Sequence, residues 1–203
     1  MPPKPRFTEK EIVDVALGLV SEKGITALTA RELGQYLGSS TRPIFTVFEN
    51  MEEVQNRVKA AAGKKFEGST AKAMNYTPAF KQVGMQMVLF AVEEPKLYQL
   101  LFMQENSEVR GFRDLLPRLG NTAEACLDMI RSDYGLTEAE ANLLFENVWV
   151  YTYGIGALCA TRACSFSEEE LVRMLGTDFM AMITFIKSGK MNEPTPCPER
   201  MIL

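Results

Sequence analysis

An all-α fold is predicted by three features of the sequence: helix-start signals that recur along its length, apolar residues at helical spacing, and no alternating apolar run bounded by turn residues. Each start signal is a Ser, Thr or Asn followed three residues later by Glu, at Thr8/Glu11, Thr29/Glu32, Asn50/Glu53, Thr137/Glu140 and Ser167/Glu170. In such a capping box the cap side chain and the Glu carboxylate each accept an N–H that the helix leaves unpaired. Phe7 with Ile12, Leu28 with Leu33, and Phe166 with Leu171 add hydrophobic staples around three of these boxes. Between the signals, apolar residues fall three and four apart, as in Ile12, Ala16, Leu19 and Val20.

Caps, Gly and Pro then place about nine helices in order. The first runs from Glu9 to Lys23 and stops at Gly24; the second runs from Ala30 to Leu37 and stops at Gly38. A short third covers Thr41 to Val47, and a long fourth leads from Met51 into the region of Lys72. Thr77-Pro78 opens a fifth that ends near Glu93-Glu94, and Pro95 opens a sixth through Met103. A seventh holds Phe112 to Tyr134, with a break expected near Pro117 or Gly120. The eighth spans Glu138 to Ala163 and the ninth Glu168 to Lys187, before a Pro-rich tail. The expected domains are 1–50, a three-helix unit; 51–190, a larger helical domain; and 191–203, a flexible tail.

The composition narrows the chemistry. The 203 residues are 46% hydrophobic and include no histidine. Ser-His and Cys-His nucleophiles, His-ligated metals and a histidine pH switch are therefore excluded. Cys126, Cys159, Cys164 and Cys197 show no C-x-x-C spacing. They read as buried small hydrophobes, a redox-sensing pair being the alternative. No metal site and no cofactor is expected, and Glu93-Glu94 reads as a solvated helix end rather than a catalytic pair. The chain is not expected to be an enzyme. MPPKPRFTEKE has no apolar h-region, and no run approaches the ~18 apolar residues of a spanning helix. A cytoplasmic protein without membrane contact is expected.

The first three helices carry the functional signal. A cap-started helix, a Gly turn and a second short helix form a helix-turn-helix, which can place its second helix in a major groove. Thr29 and Ser40 direct helix N-termini outward, where free N–H groups suit phosphate oxygens. Arg31 and Arg42 add charge there; Arg42 can instead fork onto a guanine edge, and Arg31 can be a plain solvated charge. Ser39, Thr41 and Thr46 are small hydroxyl residues that permit close approach to DNA. Pro43 stiffens the first turn of the short helix. Lys4 and Arg6 flank Pro5 in a basic arm, read either as a minor-groove contact or as a solubilising segment.

The string TARELGQYLGSSTRPIFTVFENMEEV, within Phe7 to Val54, resembles the DNA-binding domain of the TetR family of transcriptional regulators. Its capped second helix, Gly-x-Ser turn and aromatic-ended short helix lead into Phe48, Asn50, Glu52, Glu53 and Val54 in the family's register. The resemblance implies that Phe45 lies against the DNA backbone, while Ile44 and Phe48 pack inward. The chain departs from the family in lacking histidine or tyrosine near Thr46 and Val47, and in having Met51 where a phosphate-contacting lysine often stands.

A net charge of -4 and a pI near 5.1 argue against a polyanion partner for the chain as a whole. The average hides an asymmetry. Residues 1–65 hold ten Lys/Arg and eight Asp/Glu, hence +2, and the remainder holds twelve and eighteen, hence -6. Double-stranded DNA is thus the expected partner of the first part. Dimerisation would double its basic footprint on a palindromic operator.

Two apolar stripes point to a homodimer. Leu144, Val148, Tyr151, Ile155 and Leu158 alternate steps of four and three, as do Val172, Leu175, Phe179, Met182 and Ile186. A four-helix bundle, two helices per subunit, would bury Tyr151, Ile155, Leu158, Leu175, Phe179, Met182 and Ile186; packing within the subunit is the alternative. The family resemblance implies the same bundle and a small-molecule effector. Phe80, Met87, Phe90, Tyr98, Phe102, Phe112, Trp149 and Tyr153 are the candidate lining of an apolar cavity for it, each also open to ordinary core packing. The expected function is a transcriptional regulator, a repressor released from its operator by an apolar or aromatic effector. The alternative is a helical interaction protein with a degenerate helix-turn-helix.

Overall fold

The computed structural model describes residues 6–71, 73, 79–105, 111–112 and 121–190. These residues are helical, with no strand among them: α1 (Glu9–Lys23), α2 (Ala30–Tyr36), α3 (Ile44–Val47), α4 (Met51–Ala71), α5 (Ala79–Glu93), α6 (Pro95–Phe102), α7 (Asn121–Tyr134), α8 (Glu138–Ala160) and α9 (Glu168–Lys187). A 3-10 turn, Ile25–Ala27, joins α1 to α2. The Pro-rich tail, Cys197, Thr77-Pro78 and the expected break near Pro117 or Gly120 lie outside the described residues.

Local chemistry sets the ends. Thr8/Glu11, Thr137/Glu140 and Ser167/Glu170 form complete boxes, with cap accepting from Glu and Glu accepting from cap. The other two form by half. Thr29 accepts from Glu32 N, but the Glu32 carboxylate turns to Lys23 at 3.3 Å. Asn50 accepts from Glu53 N, while the Glu53 carboxylate accepts from Glu49 N.

Two helices, α3 and α8, are three residues shorter than expected. α3 begins at Ile44 rather than Thr41, because Pro43 disfavours helical backbone at Arg42 and offers no N–H of its own; Pro43 serves as the cap. α8 stops at Ala160 rather than Ala163. Arg162 there takes a left-handed φ of 59°, and Ala163 N and Arg162 N donate to the Leu158 and Cys159 carbonyls at 2.9 Å each. That bond pair is a Schellman ending, with arginine where glycine is usual.

Two clusters make the core. In the first, Ile12, Leu19, Leu33, Ile44 and Phe48 of the N-terminal trio continue through Val54, Val58 and Phe66 of α4 into Val88, Leu97, Tyr98 and Ile155. The second joins Phe80 to Ile130 of α7, Leu144 and Phe145 of α8, and Phe179 and Ile186 of α9. Each fully buried aliphatic or aromatic side chain contributes roughly 1.5–3 kcal/mol. The N-terminal trio therefore has no separate core of its own; α4 carries it into the larger bundle.

Candidate nucleic-acid interface and cavity

The turn between α2 and α3 is set by two glycines. Gly38 takes a left-handed φ of 59°, and Ser39 N and Gly38 N donate to the Gly34 and Gln35 carbonyls at 2.9 and 3.0 Å. This is a second Schellman ending, here with the usual glycine. Gly34 is needed because the turn folds back over it: a Cβ there would lie 3.2 Å from Ser39 O and 3.3 Å from Ser40 C. The tight turn delivers α3 beside α2 with Ile44 and Phe48 buried, which leaves Phe45, 47% exposed, and Thr46 facing out.

Arg31, Ser40 and Arg42 are exposed, whereas Ser39, Thr41 and Pro43 are partly covered. Neither Arg31 nor Arg42 makes an ion pair with another described residue. Arg6 lies over the Phe7 ring at 5.5 Å and donates to Ser39 Oγ at 3.4 Å, so the arm's base adjoins the turn. Thr46 Oγ1 donates to the Arg42 carbonyl at 3.0 Å. Thr29 is exposed but committed to capping α2. Ser40 does not cap α3, which starts at Ile44 for the proline reason given above. Lys4 lies outside the described residues.

Between the two core clusters lies a cavity of about 40 Å³. α5 lines it with Phe80, Val83, Gly84 and Met87, α7 with Ala123 and Cys126, and α8 with Phe145, Val148, Trp149 and Thr152. α4 adds Phe66. Of the expected lining residues, Phe80, Met87 and Trp149 face it. Phe112 and Tyr153 stand behind Trp149, at ring separations of 5.2 and 5.3 Å. Phe90 and Phe102 back Phe66 at 5.3 and 5.1 Å. Tyr98 is a correction: it is fully buried against Gly156, and its hydroxyl donates to the Tyr153 carbonyl at 3.2 Å. Sequence reasoning missed Phe66, Gly84, Cys126 and Thr152. A glycine inside helix α5 and a threonine inside the apolar string WVYTYGIGAL were the available signals.

Cavity and helix-turn-helix are mechanically joined. Phe66 sits toward the end of α4, whose buried Val54, Val58 and Ala62 share the core of α1–α3. Beside it, Glu94, between α5 and α6, accepts from Ser21 of α1 and pairs with Lys65 of α4, both at 2.5 Å. Partial burial works against the Glu94 charge, yet the Lys65 and Ser21 hydrogen bonds prevail and hold its pKa below 4.5.

The expected dimer stripe requires a second correction. Ile155, Leu175, Phe179 and Ile186 are buried in the subunit's own core, and Tyr151 and Met182 are partly covered; Leu158 alone is well exposed. Helix α8 is apolar on two sides, and spacing does not distinguish inner from outer. The exposed large apolar residues of these two helices are Val150 and Leu158 on α8, and Val172, Met180 and Phe185 on α9.

No described helix is long and apolar enough to cross a membrane. Taken together, a helix-turn-helix whose core continues into a helical bundle around a cavity is the fold of TetR-family transcriptional regulators. The chain is similar to a protein of Mesorhizobium loti MAFF303099 described as a TetR-family transcriptional regulator, with 18% identity, 87% of this chain and 95% of that chain covered, and a TM-score of 0.56. It is likewise similar to Thermus thermophilus FadR, a TetR-family transcriptional repressor in complex with lauroyl-CoA, with 14% identity, 95% and 100% covered, and a TM-score of 0.56. No protein-family model and no curated protein matches the chain. At these identities the likeness is one of fold.

Proposed function

We propose that this chain is a sequence-specific DNA-binding regulator, a homodimeric repressor released from a palindromic operator when a small apolar effector fills the cavity. The observation that carries the reading is the helix-turn-helix itself. Its tight glycine turn presents Arg31, Ser40, Arg42, Phe45 and Thr46 to solvent, with both arginines free of ion pairs among the described residues. Two such heads, spaced about 34 Å apart or a multiple of it, would read successive major grooves. The exposed apolar residues of α8 and α9 are the surface proposed for pairing, and the acyl chain of the lauroyl-CoA bound by a protein of this fold supports an apolar guest for the cavity.

Release follows from the cavity's position. At about 40 Å³ it is smaller than the ~150 Å³ site that accommodates benzene, so an effector must spread the two clusters. Phe66 is the wall that belongs to α4, and its displacement would tilt the helix that carries the reading head. Operator affinity falls by the effector's preference for the spread state.

The test is an operator titration at increasing salt, repeated with small apolar compounds. The reading expects a steep loss of affinity with salt, a weaker slope by about one unit for each phosphate-contacting residue removed, and release by at least one compound. Absence of DNA binding at low salt would instead favour a helical interaction protein.

A further inference from the structure

We infer that the cavity selects a neutral, apolar molecule bearing one hydroxyl or carbonyl oxygen, with Thr152 Oγ1 as the group that sets the choice. The inference rests on the effector role proposed for the cavity and specifies its chemistry. Thr70 and Thr152 are the buried polar residues among those described. Thr70 Oγ1 donates to the carbonyls of Phe66 and Glu67, as a helical threonine ordinarily does. At the end of α8, the capping Thr161 Oγ1 donates to the Ala157 carbonyl at 2.7 Å. Thr152 Oγ1, in a residue only 1% exposed, has no partner among the described residues.

Thr152 lines the cavity opposite Gly84, where a Cβ would lie in ordinary contact at 3.5 Å from Oγ1. The hydroxyl is closed over at rest and is reached when a guest parts the walls. Glycine inside a helix weakens it relative to alanine, and an unsatisfied buried hydroxyl weakens the fold further. Both features point to an oxygen-bearing guest that completes the site.

The remaining lining restricts the guest. Burial pushes the Cys126 thiol up to about 12, so it stays neutral and donates only weakly. No charged side chain lines the cavity among the described residues, and a carboxylate or phosphate entering it would shed water without a counter-charge. The guest is therefore small and uncharged. Met87, flexible at three torsions, is the lining side chain best able to make room.

Trp149, the sole tryptophan, lines the cavity and reports filling by fluorescence. The full chain is titrated with toluene, benzyl alcohol and benzoate. Benzyl alcohol should bind about three- to tenfold tighter than toluene, the range of one added hydrogen bond, and benzoate should fail to saturate. Thr152→Val keeps the side-chain shape and should erase the preference without weakening toluene or lowering the melting temperature. Gly84→Ala, which sets a methyl against the hydroxyl, should shrink it as well. The inference is overturned if Thr152→Val retains the preference, if benzoate binds as tightly as benzyl alcohol, or if no probe binds. A parallel operator titration without probe keeps the two readings apart. DNA binding without probe binding removes this inference alone; probe selectivity without DNA binding removes the regulator and leaves the cavity chemistry standing.

Discussion

The ring of Tyr98 lies directly on the backbone of Gly156, so close that a Cβ at position 156 would sit 2.7 Å from Tyr98 Cζ. Tyr98 is fully buried and anchored through its hydroxyl, which leaves the ring little freedom to withdraw. Gly156→Ala gains about 1 kcal/mol of helix propensity but forces an overpacking that costs about 1–3 kcal/mol. A net loss of about 1 kcal/mol is expected in urea unfolding. Unchanged stability would show that α6 and α8 part more easily than this contact implies.

Arg162 holds the left-handed position of the α8 ending at a φ of 59°. Glycine bears no Cβ penalty there, so Arg162→Gly should stabilise the chain by about 1 kcal/mol. A higher melting temperature with unchanged helix content is the expected result; a lower one would mean that the arginine side chain makes a stabilising contact of its own.

Glu94 links α1 and α4 to the α5–α6 junction through Ser21 and Lys65. Its pKa is lowered from 4.5, so its contribution is present above that value and lost as pH falls through the lower folded value. Glu94→Gln should cost under about 1 kcal/mol at neutral pH, since Lys65 is half exposed to screening solvent. The difference from the parent chain should shrink in acid. A difference that is constant across the pH range would assign the effect to packing rather than charge.

Val150 and Leu158 are 53% and 41% exposed, so charged replacements leave the subunit's own core intact. The double variant Val150→Lys/Leu158→Lys should sediment as a folded monomer and bind a palindrome at least about tenfold more weakly, as expected when one half-site's contacts are lost. A variant that remains dimeric would move the pairing surface elsewhere.

The features legible in the sequence are those encoded within a few residues. Thr8, Thr137 and Ser167 announce their helices because a cap needs only its own Glu three residues on. Gly34, Gly38 and Pro43 set the turn for equally local reasons. The cavity is different, since its lining is chosen by which helix lies opposite. Phe66 and Phe90 are the same residue type in mutual contact, yet Phe66 alone of the two faces the cavity. Ile155 and Leu158 belong to one stripe in the sequence, yet Ile155 is buried in the core while Leu158, one turn on, is exposed at the edge of that face. Helical spacing states that a face is apolar; the other helices decide whether it is inside.

The continuity of the first core cluster bears on how far the helix-turn-helix is modular. Ile12, Leu33 and Phe48 share their interior with Val58, Leu97 and Tyr98, so excising residues 6–48 would strip the trio of its floor. A chimera that grafts this trio onto another bundle would have to carry α4 and α6 with it. Under the proposed function, specificity for DNA and its regulation would be inherited together, and neither could be exchanged by a cut at the helix-turn-helix boundary.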